Sequence, residues 1–336
     1  MFVIESYPLA VVFCIITMLC WGSWANTQKA AGSRWRFELF YWDYVFGVVL
    51  MALVFAATLG SFGQAGRSFL PDLGQAEARN LGLAFLGGVI FNAANILLVA
   101  AIAIAGMAVA FPVGIGLALI VGVVVNYLSK PGETNPLVLF LGVAVITVAI
   151  VLDAIAYRRL PGQHRGTSTK GLVLSVLCGL LMGTFYLCVA QAMPEAAEFP
   201  RMPAGKLTPY TAMVLFSLGM LASNFLFNTA IMYKPFVGEP VPLNQYFQGS
   251  GRDHLWGLVG GMIWAVGMMF SIIAAGAATF PISYGLGQGA TMVAAIWGVF
   301  IWQEFREAPP GTNRLLGAMF AAYVLGLVLV ILARVL

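Results

Sequence analysis

Four asparagine side chains lie in two pairs within long apolar stretches of the sequence. Asn92 and Asn95 are three residues apart, and Asn224 and Asn228 are four apart, so each pair shares one face of a helix. A carboxamide both donates and accepts hydrogen bonds, which suits a neutral solute that is planar or hydroxylated. Hydrogen bonds to neighbouring helices would use the same groups. Both pairs are therefore candidates for lining a solute path, with helix–helix contacts as the alternative.

Aromatic and polar residues at the ends of other apolar stretches are further candidates. Trp24 and Asn26 close the first stretch, and Gly22-Ser23-Trp24 resembles Gly183-Thr184-Phe185 later in the chain. A tryptophan face can stack on a flat ring or cover a sugar, although tryptophans also gather at membrane interfaces. The stretch after Pro281 has one polar helix face. These patterns predict solute contacts at Trp24, Asn26, Thr184, Tyr186, Tyr284, Gln288 and Thr291.

Three carboxylates, Asp43, Asp153 and Glu304, are the candidates for proton coupling, because a proton-driven carrier needs a group that titrates as its site alternates. Each also has a simpler explanation. Asp43 can cap a helix, Asp153 lies near Arg158, and Glu304 ends a span beside Arg306. No metal site is predicted, since the four cysteines lie inside apolar segments without the spacing of metal ligands.

The composition places these side chains in a membrane. Of 336 residues, 61% are hydrophobic and 9% are charged, and the mean hydropathy is +0.92, whereas a soluble domain has about 25% charged residues. The formal net charge of +4 does not indicate nucleic-acid binding, because the basic residues fall in short loops between apolar spans. A membrane enzyme would need a catalytic set such as H-E-x-x-H or G-x-S-x-G, and neither is present. A sensor would typically carry an output domain outside the membrane, and no stretch fits one.

Ten apolar stretches of about 20 residues are long enough to cross a bilayer, and only helices can do so here. The third and fourth stretches are joined almost directly, as are the eighth and ninth. The predicted spans are 8–27, 43–63, 80–104, 107–128, 135–157, 170–192, 209–232, 255–276, 279–303 and 313–334.

Two of these joined pairs resemble each other. Gly260–Glu304 repeats features of Gly87–Tyr127, including a Gly-Gly pair near the start and a Phe-Pro pair that opens the second helix. A repeat of this length indicates a duplicated half. Because each half holds five spans, the second half starts on the opposite side of the membrane. We predict an all-α membrane protein with ten transmembrane helices in a five-plus-five inverted repeat, with halves 1–160 and 161–336.

The distribution of Lys and Arg predicts the orientation. Most of these residues lie in loops on the side opposite the N-terminus, and cytoplasmic loops carry the excess of positive charge. Both termini are therefore predicted outside the cell, with the loop 158–170 in the cytoplasm. The oligomeric state is left open.

A series of short strings runs in a fixed order along nearly the whole chain. They are Met1–Ser6, Gly22-Ser23-Trp24, Asp43-Tyr44, Gly87-Gly88 with Asn95, Asn126-Tyr127, Tyr210-Thr211-Ala212, Asn228 with Tyr233-Lys234-Pro235, Trp297-Gly298 and Glu304-Phe305-Arg306. Together they resemble the ureide permease family, within the drug/metabolite transporter superfamily.

That resemblance implies ten helices in an inverted repeat and proton-coupled uptake of ureides such as allantoin or nucleobases such as uracil. It also implies kinship with bacterial glucose, ribose and rhamnose porters. The chain departs from the plant members in its short loop between the halves, which looks bacterial and points to an inner membrane. No G-x-x-x-x-G-K-[ST] motif is present, so no ATP or other cofactor is expected.

The sequence thus favours a secondary transporter of a small, polar, neutral metabolite, with the solute near the midplane between the halves. A sugar porter is the main alternative, and the scarcity of carboxylates inside the spans favours a ureide or nucleobase over a sugar. A drug exporter of the same fold is a further alternative, whose signature would be a deep carboxylate.

Overall fold

The computed structural model describes residues 1–32, 34–161 and 168–336, and these residues form helices and no strands. Ten helices are long and apolar enough to span a membrane, so the predicted all-α membrane fold is confirmed. In chain order they are α1 (Tyr7–Ala31), α2 (Phe37–Ala57), α3 (Ala78–Ala105), α4 (Phe111–Ser129), α5 (Pro136–Arg158), α6 (Thr169–Ala192), α7 (Pro209–Tyr233), α8 (Gly251–Ala278), α9 (Phe280–Ile301) and α10 (Thr312–Leu332).

Short elements occupy the connections. A two-turn helix, Phe69–Gln75, precedes α3, and one helical turn, Met107–Ala110, precedes α4. The 3₁₀ turns Ala196–Glu198 and Leu243–Gln248 precede α7 and α8. Residues 162–167 of the predicted cytoplasmic loop 158–170, including the basic residue Arg165, lie outside the described residues.

The second helix begins six residues earlier than its predicted span, at Phe37. The sequence suggests Asp43 as a cap at the start of this span, but Asp43 and Glu38 are both buried inside the helix. Glu38 pairs with Arg36 at 2.6 Å, and Asp43 accepts hydrogen bonds from the side chains of Tyr246 and His254. Because these partners offset the cost of burying the two carboxylates, the helix extends through them.

Two tight junctions join the hairpins α3–α4 and α8–α9. Gly106 makes the first, with φ +78°, and Thr279 makes the second, with φ +73°. In each case the backbone N–H of this residue bonds to the carbonyl oxygen four residues earlier, on Ile102 or Ala275. Each hairpin therefore turns within a single residue, and the two turns have the same backbone conformation.

Each main contact between two helices has a counterpart in which every helix of the first five is replaced by the equivalent helix of the last five, and the reverse. α3 packs on α6 as α8 packs on α1, α3 packs on α7 as α8 packs on α2, and α4 packs on α6 as α9 packs on α1. α5 packs on α10, and α2 on α7. This pattern is consistent with the inverted repeat of 1–160 and 161–336, which stays a prediction.

Glycines allow the closest of these crossings. A Cβ on Gly88 would lie 1.9 Å from the carbonyl oxygen of Phe216, and one on Gly261 would lie 1.9 Å from that of Tyr44. Small residues let helix backbones approach closely inside a membrane. The Gly-Gly pairs seen in the sequence thus fix α3 against α7 and α8 against α2, and they hold the centre of the molecule in register.

Candidate functional site

A cavity of about 430 Å³ lies between the halves, and we call it the central cavity. Six helices line it: α1, α3, α4, α6, α8 and α9. Its lining residues are Trp21, Gly22, Trp24, Ala25, Gln28, Phe91, Asn95, Leu98, Val99, Ile102, Ala103, Phe111, Ile115, Met182, Phe185, Trp264, Gln288, Ala290, Thr291 and Ala294. Sites for small molecules usually occupy about 300–1,000 Å³, so the space suits one small solute.

Aromatic rings form much of the wall of the central cavity. The ring of Trp264 packs on Phe91 with centroids 4.3 Å apart and on Trp21 at 6.0 Å, nearly parallel to the latter. Phe91 also meets Phe185 edge-on at 5.1 Å. Aromatic side chains offer a large, rigid contact area. The wall can therefore stack on a flat solute without ordering flexible side chains first.

A few polar groups interrupt the aromatic wall. The Nδ2 of Asn95 donates to the hydroxyl of Tyr41 at 3.1 Å, and this fixes the plane of the amide. The hydroxyl of Thr291 donates to the carbonyl oxygen of Gln288 at 3.0 Å. The Nε1 of Trp21 is buried and has no hydrogen-bond partner among the described residues. Together with the Gln288 amide, these groups give the cavity both donors and acceptors.

A second cavity, which we call the vestibule, continues from the central cavity toward the side opposite the N-terminus. Its volume is about 450 Å³, and it shares Ala25 and Gln28 with the central cavity. Its other lining residues are Lys29, Gly32, Trp35, Arg36 and Phe37. Both of its cations are paired, Lys29 with Glu304 and Arg36 with Glu38. The vestibule is therefore polar without a free positive charge at either of these two residues.

The N-terminal side of the central cavity is closed by a buried hydroxyl cluster. The hydroxyl of Tyr186 is hydrogen-bonded to those of Ser271 at 2.9 Å and Ser283 at 3.3 Å. Ser283 also donates to the backbone oxygen of Ser271 at 2.7 Å. These residues join α6, α8 and α9 with no exposed surface. The structure is thus closed on the side of the termini.

Further contacts seal the same end beyond the membrane-spanning segments. The hydroxyls of Thr134 and Thr279 are 3.0 Å apart, and the Nζ of Lys130 donates to the backbone oxygen of Met193 at 2.6 Å. The same ammonium lies 5.2 Å from the ring centre of Phe280. Burial, together with the smaller effect of the charge on Lys206, lowers the pKa of Lys130 to about 8. The loop after α4 is thereby fastened to the junction of α8 and α9.

Four of the predicted contact residues line the central cavity: Trp24, Asn95, Gln288 and Thr291. They come from α1, α3 and α9, so the fold brings together side chains that are up to 267 positions apart in the sequence. Gln288 and Thr291 share one face of α9, as their spacing predicted. Their role as solute contacts stays a prediction.

The other predicted contacts lie elsewhere and bond to protein groups. The Nδ2 of Asn92 donates to the Ser223 hydroxyl at 2.9 Å, and that of Asn228 donates to the backbone oxygen of Glu38 at 2.8 Å. Asn224 is fully buried, and neither atom of its amide has a partner among the described residues.

Three more of these residues also stabilise contacts between or within helices. Tyr284 donates to the backbone oxygens of Ala118 and Met182. Thr184 donates to carbonyl oxygens of its own helix, and the Oδ1 of Asn26 accepts from the Nε1 of Trp302 at 2.6 Å. Tyr186 belongs to the hydroxyl cluster. The bonds of Tyr284, Asn26 and Tyr186 thus link different segments of the chain, whereas those of Thr184 stay within α6.

The three candidate carboxylates lie toward the same end as the vestibule, in different surroundings. Asp43 accepts hydrogen bonds from Tyr246 at 2.5 Å and contacts the Nδ1 of His254 at 3.0 Å. Glu304 pairs with Lys29 rather than with the neighbouring Arg306. Asp153 is buried, and its Oδ1 has no hydrogen-bond partner among the described residues.

Several lining residues were not among the sequence candidates. Trp21 lies three residues before the predicted Trp24 and Gln28 four residues after it, so all three share one face of α1. Phe91 and Trp264 occupy equivalent places in the two repeated stretches. Hydrophobic residues of α4 and α6 carry no such signal, because lipid-facing and cavity-facing apolar positions look alike in sequence.

Comparison with known proteins gives a consistent result. A model of the family described as Ureide permease matches residues 40–160 and 163–333. Ureide permease 1 of Arabidopsis thaliana is 20% identical over 377 residues, and Ureide permease 4 of the same plant is 22% identical over 392 residues. Each alignment covers 96% of this chain and 96% of the relative. A solved crystal structure shares the fold with a TM-score of 0.63, at 14% identity, over 98% of this chain and 99% of the other.

Proposed function

The chain belongs to the ureide permease family, and on that premise we propose that it carries a ureide or a nucleobase, such as allantoin or uracil, across the cell membrane. As a permease it is a multi-pass membrane transporter and not an enzyme. The substrate, the coupling to protons and the direction of transport are parts of this proposal.

The lining of the central cavity carries this proposal. Among its described lining residues none is charged, whereas aromatic rings surround the amides of Asn95, Gln28 and Gln288. A neutral heterocycle can stack on such rings, and its N–H and C=O groups can exchange hydrogen bonds with the amides. A charged solute would leave its charge unpaired at this depth, which costs several kcal/mol.

The same lining weighs against the two alternatives. A sugar porter typically sets carboxylates beside its aromatic rings to accept bonds from several hydroxyls, and a carrier of cationic drugs needs a deep carboxylate. Asp43, Asp153 and Glu304 are the nearest candidates, and none of them lines the central cavity. A sugar stays the second candidate, because amides and a tryptophan face can also bind one.

For the transport cycle we propose alternating access by rocking of the hairpins α3–α4 and α8–α9 against each other. The contact of Tyr186 with Ser271 and Ser283 would have to break to open the side of the termini. With both termini outside, as the distribution of Lys and Arg predicts, the observed cavity faces the cytoplasm of a bacterial cell. Solute entry coupled to protons would then end in this conformation, with release through the vestibule.

The decisive experiment is uptake by the purified protein in liposomes with an imposed inward proton gradient. The solutes are labelled allantoin, uracil, glucose, ribose and rhamnose. We expect uptake of allantoin or uracil that collapses when the gradient is dissipated. Uptake of a sugar alone would move the assignment to the sugar porters, and exchange of a cationic dye with no uptake of the five solutes would refute import.

Two variants connect such uptake to the central cavity. Gln288→Ala removes an amide from the lining, whereas Gln245→Ala removes one from the exposed 3₁₀ turn before α8. We expect loss of uptake in the first variant and wild-type uptake in the second. Equal behaviour of the two variants would place the solute elsewhere.

A further inference from the structure

Asp153 of α5 is a buried carboxylate that the packing of the protein leaves without a partner. Its residue is 4% exposed, and its Oδ1 is buried with no hydrogen bond to any described residue. Arg158, the partner expected from the sequence, is exposed and makes no ion pair with it. An ionised carboxylate in such a place costs several kcal/mol and is rare inside a membrane unless it has a function.

Other titratable groups face Asp153 from the neighbouring helices. Tyr157 follows it by one turn on α5, and Tyr323 faces it from α10. Glu304, just beyond the end of α9, repels it through their like charges. α4 also packs on α5 but has no charged residue. Among the described residues, therefore, no cation neutralises Asp153 directly, and the charged neighbour that acts on it is another acid.

These groups lie between the central cavity and the vestibule. The hydroxyl of Tyr323 is buried near Thr291, which lines the central cavity. This hydroxyl has no hydrogen-bond partner among the described residues. On the other side, Tyr157 donates to the Oε2 of Glu304 at 3.0 Å, and Glu304 binds the Nζ of Lys29 at 2.8 Å. Lys29 lines the vestibule.

The backbone at the end of α9 makes room for this arrangement. Residues Trp297–Ile301 form a π-helical turn, a feature frequent at functional sites. A Cβ on Gly298 would lie 2.9 Å from the Tyr157 hydroxyl and 3.0 Å from the Oε2 of Glu304. A side chain at this position would therefore displace at least one of these two groups from its place against α9.

We propose that Asp153 is the carboxylate that binds the transported proton, and that it is protonated in the conformation with the vestibule open. The proton leaves toward Glu304 and the vestibule, and it leaves behind an Asp153 carboxylate. The ion pair of Glu304 with Lys29 lowers the repulsion that this new charge meets. The inference deepens the proposed proton-coupled transport. That Asp153 carries the transported proton rests on that proposal, whereas its protonated state rests on its burial and its lack of a partner among the described residues.

Infrared spectroscopy of the purified protein in lipid tests the protonated state without any solute. Wild type at pH 7 is expected to show the carbonyl band of a protonated carboxyl group, and Asp153→Asn is expected to lack it. Asp43→Asn is the matched control, since Asp43 is buried at a similar depth but bonded to Tyr246 and His254, and it should leave the band in place. An unchanged band in Asp153→Asn would overturn the proposal.

Liposome transport then tests coupling. Asp153→Asn is expected to exchange labelled solute between the two sides, while its accumulation under a proton gradient falls to the external concentration. Asp153→Glu keeps a carboxyl group and should accumulate solute with a shifted pH profile, and it replaces the asparagine variant if that one does not fold. Accumulation by Asp153→Asn at the wild-type level would refute the role. If wild type moves none of the solutes, the proposed function fails, whereas the infrared result still decides the state of Asp153.

Discussion

The two hairpins α3–α4 and α8–α9 share a plan and differ in content. Each begins with a close Gly-Gly crossing, turns at one residue with positive φ, and continues with Phe-Pro. Yet α9 carries Ser283, Tyr284, Gln288 and Thr291 through its middle, whereas the span of α4 has no polar side chain before Asn126. α8 and α9 are also more buried. Within an apolar 18-residue stretch of each helix, 67% of residues in α8 and 56% in α9 are buried, against 50% in α3 and 39% in α4.

Because their polar content differs, the two hairpins make different contacts in the structure. The polar hairpin α8–α9 packs on α1, closes the side of the termini through Ser271 and Ser283, and presents Gln288 to the central cavity. The apolar hairpin α3–α4 gives the cavity an aliphatic wall, including Leu98 and Ile102, with Asn95 as its polar group. The proposed rocking uses the backbone geometry that the two hairpins share, whereas the proposed recognition of the solute uses mainly the polar side chains of α8–α9.

The largest expected effect tests the shared plan. Leucine at Gly88 or at Gly261 would drive a side chain into a backbone carbonyl oxygen of α7 or α2. Since a helix backbone cannot yield locally, we expect each variant to lose more than about 4 kcal/mol of stability and to give no monodisperse peak by size-exclusion chromatography. Gly317→Leu, at a position with nothing within 4 Å, is the control. Folding of one variant but not the other would show that the two crossings are not equivalent.

The next effect tests the difference in content. Gln288→Ala on α9 removes a polar contact to the solute, and we expect at least about a tenfold fall in uptake, the equivalent of one hydrogen bond to a buried polar group. Leu98→Ala on α3 widens an apolar wall that lies in an open cavity, and we expect less than about a threefold change. Initial rates in liposomes at matched protein content measure both. A larger loss in Leu98→Ala would place recognition on the apolar hairpin instead.

How far the sequence reached follows the same division. Length and apolarity determine a membrane helix, so ten spans were predictable. Only α2 was displaced, because a buried carboxylate such as Asp43 has the same sequence signal as a helix cap. Polar side chains inside spans are ambiguous, since Asn92 and Asn95 have the same spacing signal but only Asn95 reaches the cavity. Which face of a helix points inward depends on its rotation against neighbours. That rotation is decided by contacts such as Gly88 on Phe216, which no local pattern contains.

A smaller effect concerns the two junctions. Gly106 has φ +78° and ψ +164°, a region nearly restricted to glycine, whereas Thr279 occupies almost the same conformation. We expect Gly106→Ala to cost about 1–3 kcal/mol. Thr279→Gly relieves backbone strain but loses the hydrogen bond to Thr134, so its net change should stay within about 1 kcal/mol. Thermal unfolding in detergent compares the two. A stronger destabilisation by Thr279→Gly would mean that the hydroxyl contact outweighs the backbone strain.

The smallest effect is a pH dependence that only the junction of α8 and α9 should show, because Lys130 contacts Phe280 there. Burial lowers the pKa of Lys130 to about 8 from its usual 10.5, so the folded protein releases this proton before the unfolded chain does. Stability therefore gains from rising pH between about 8 and 10.5, since the cost of burying the charge disappears in that window. Lys130→Met has no such charge. We expect the unfolding temperature of wild type to rise relative to Lys130→Met across this range, by the equivalent of less than about 1 kcal/mol because the side chain is partly exposed.

The control is Lys234→Met, at an exposed lysine on the opposite side, which should follow wild type. Parallel curves for wild type and Lys130→Met would show that the ammonium is solvated at the closed end.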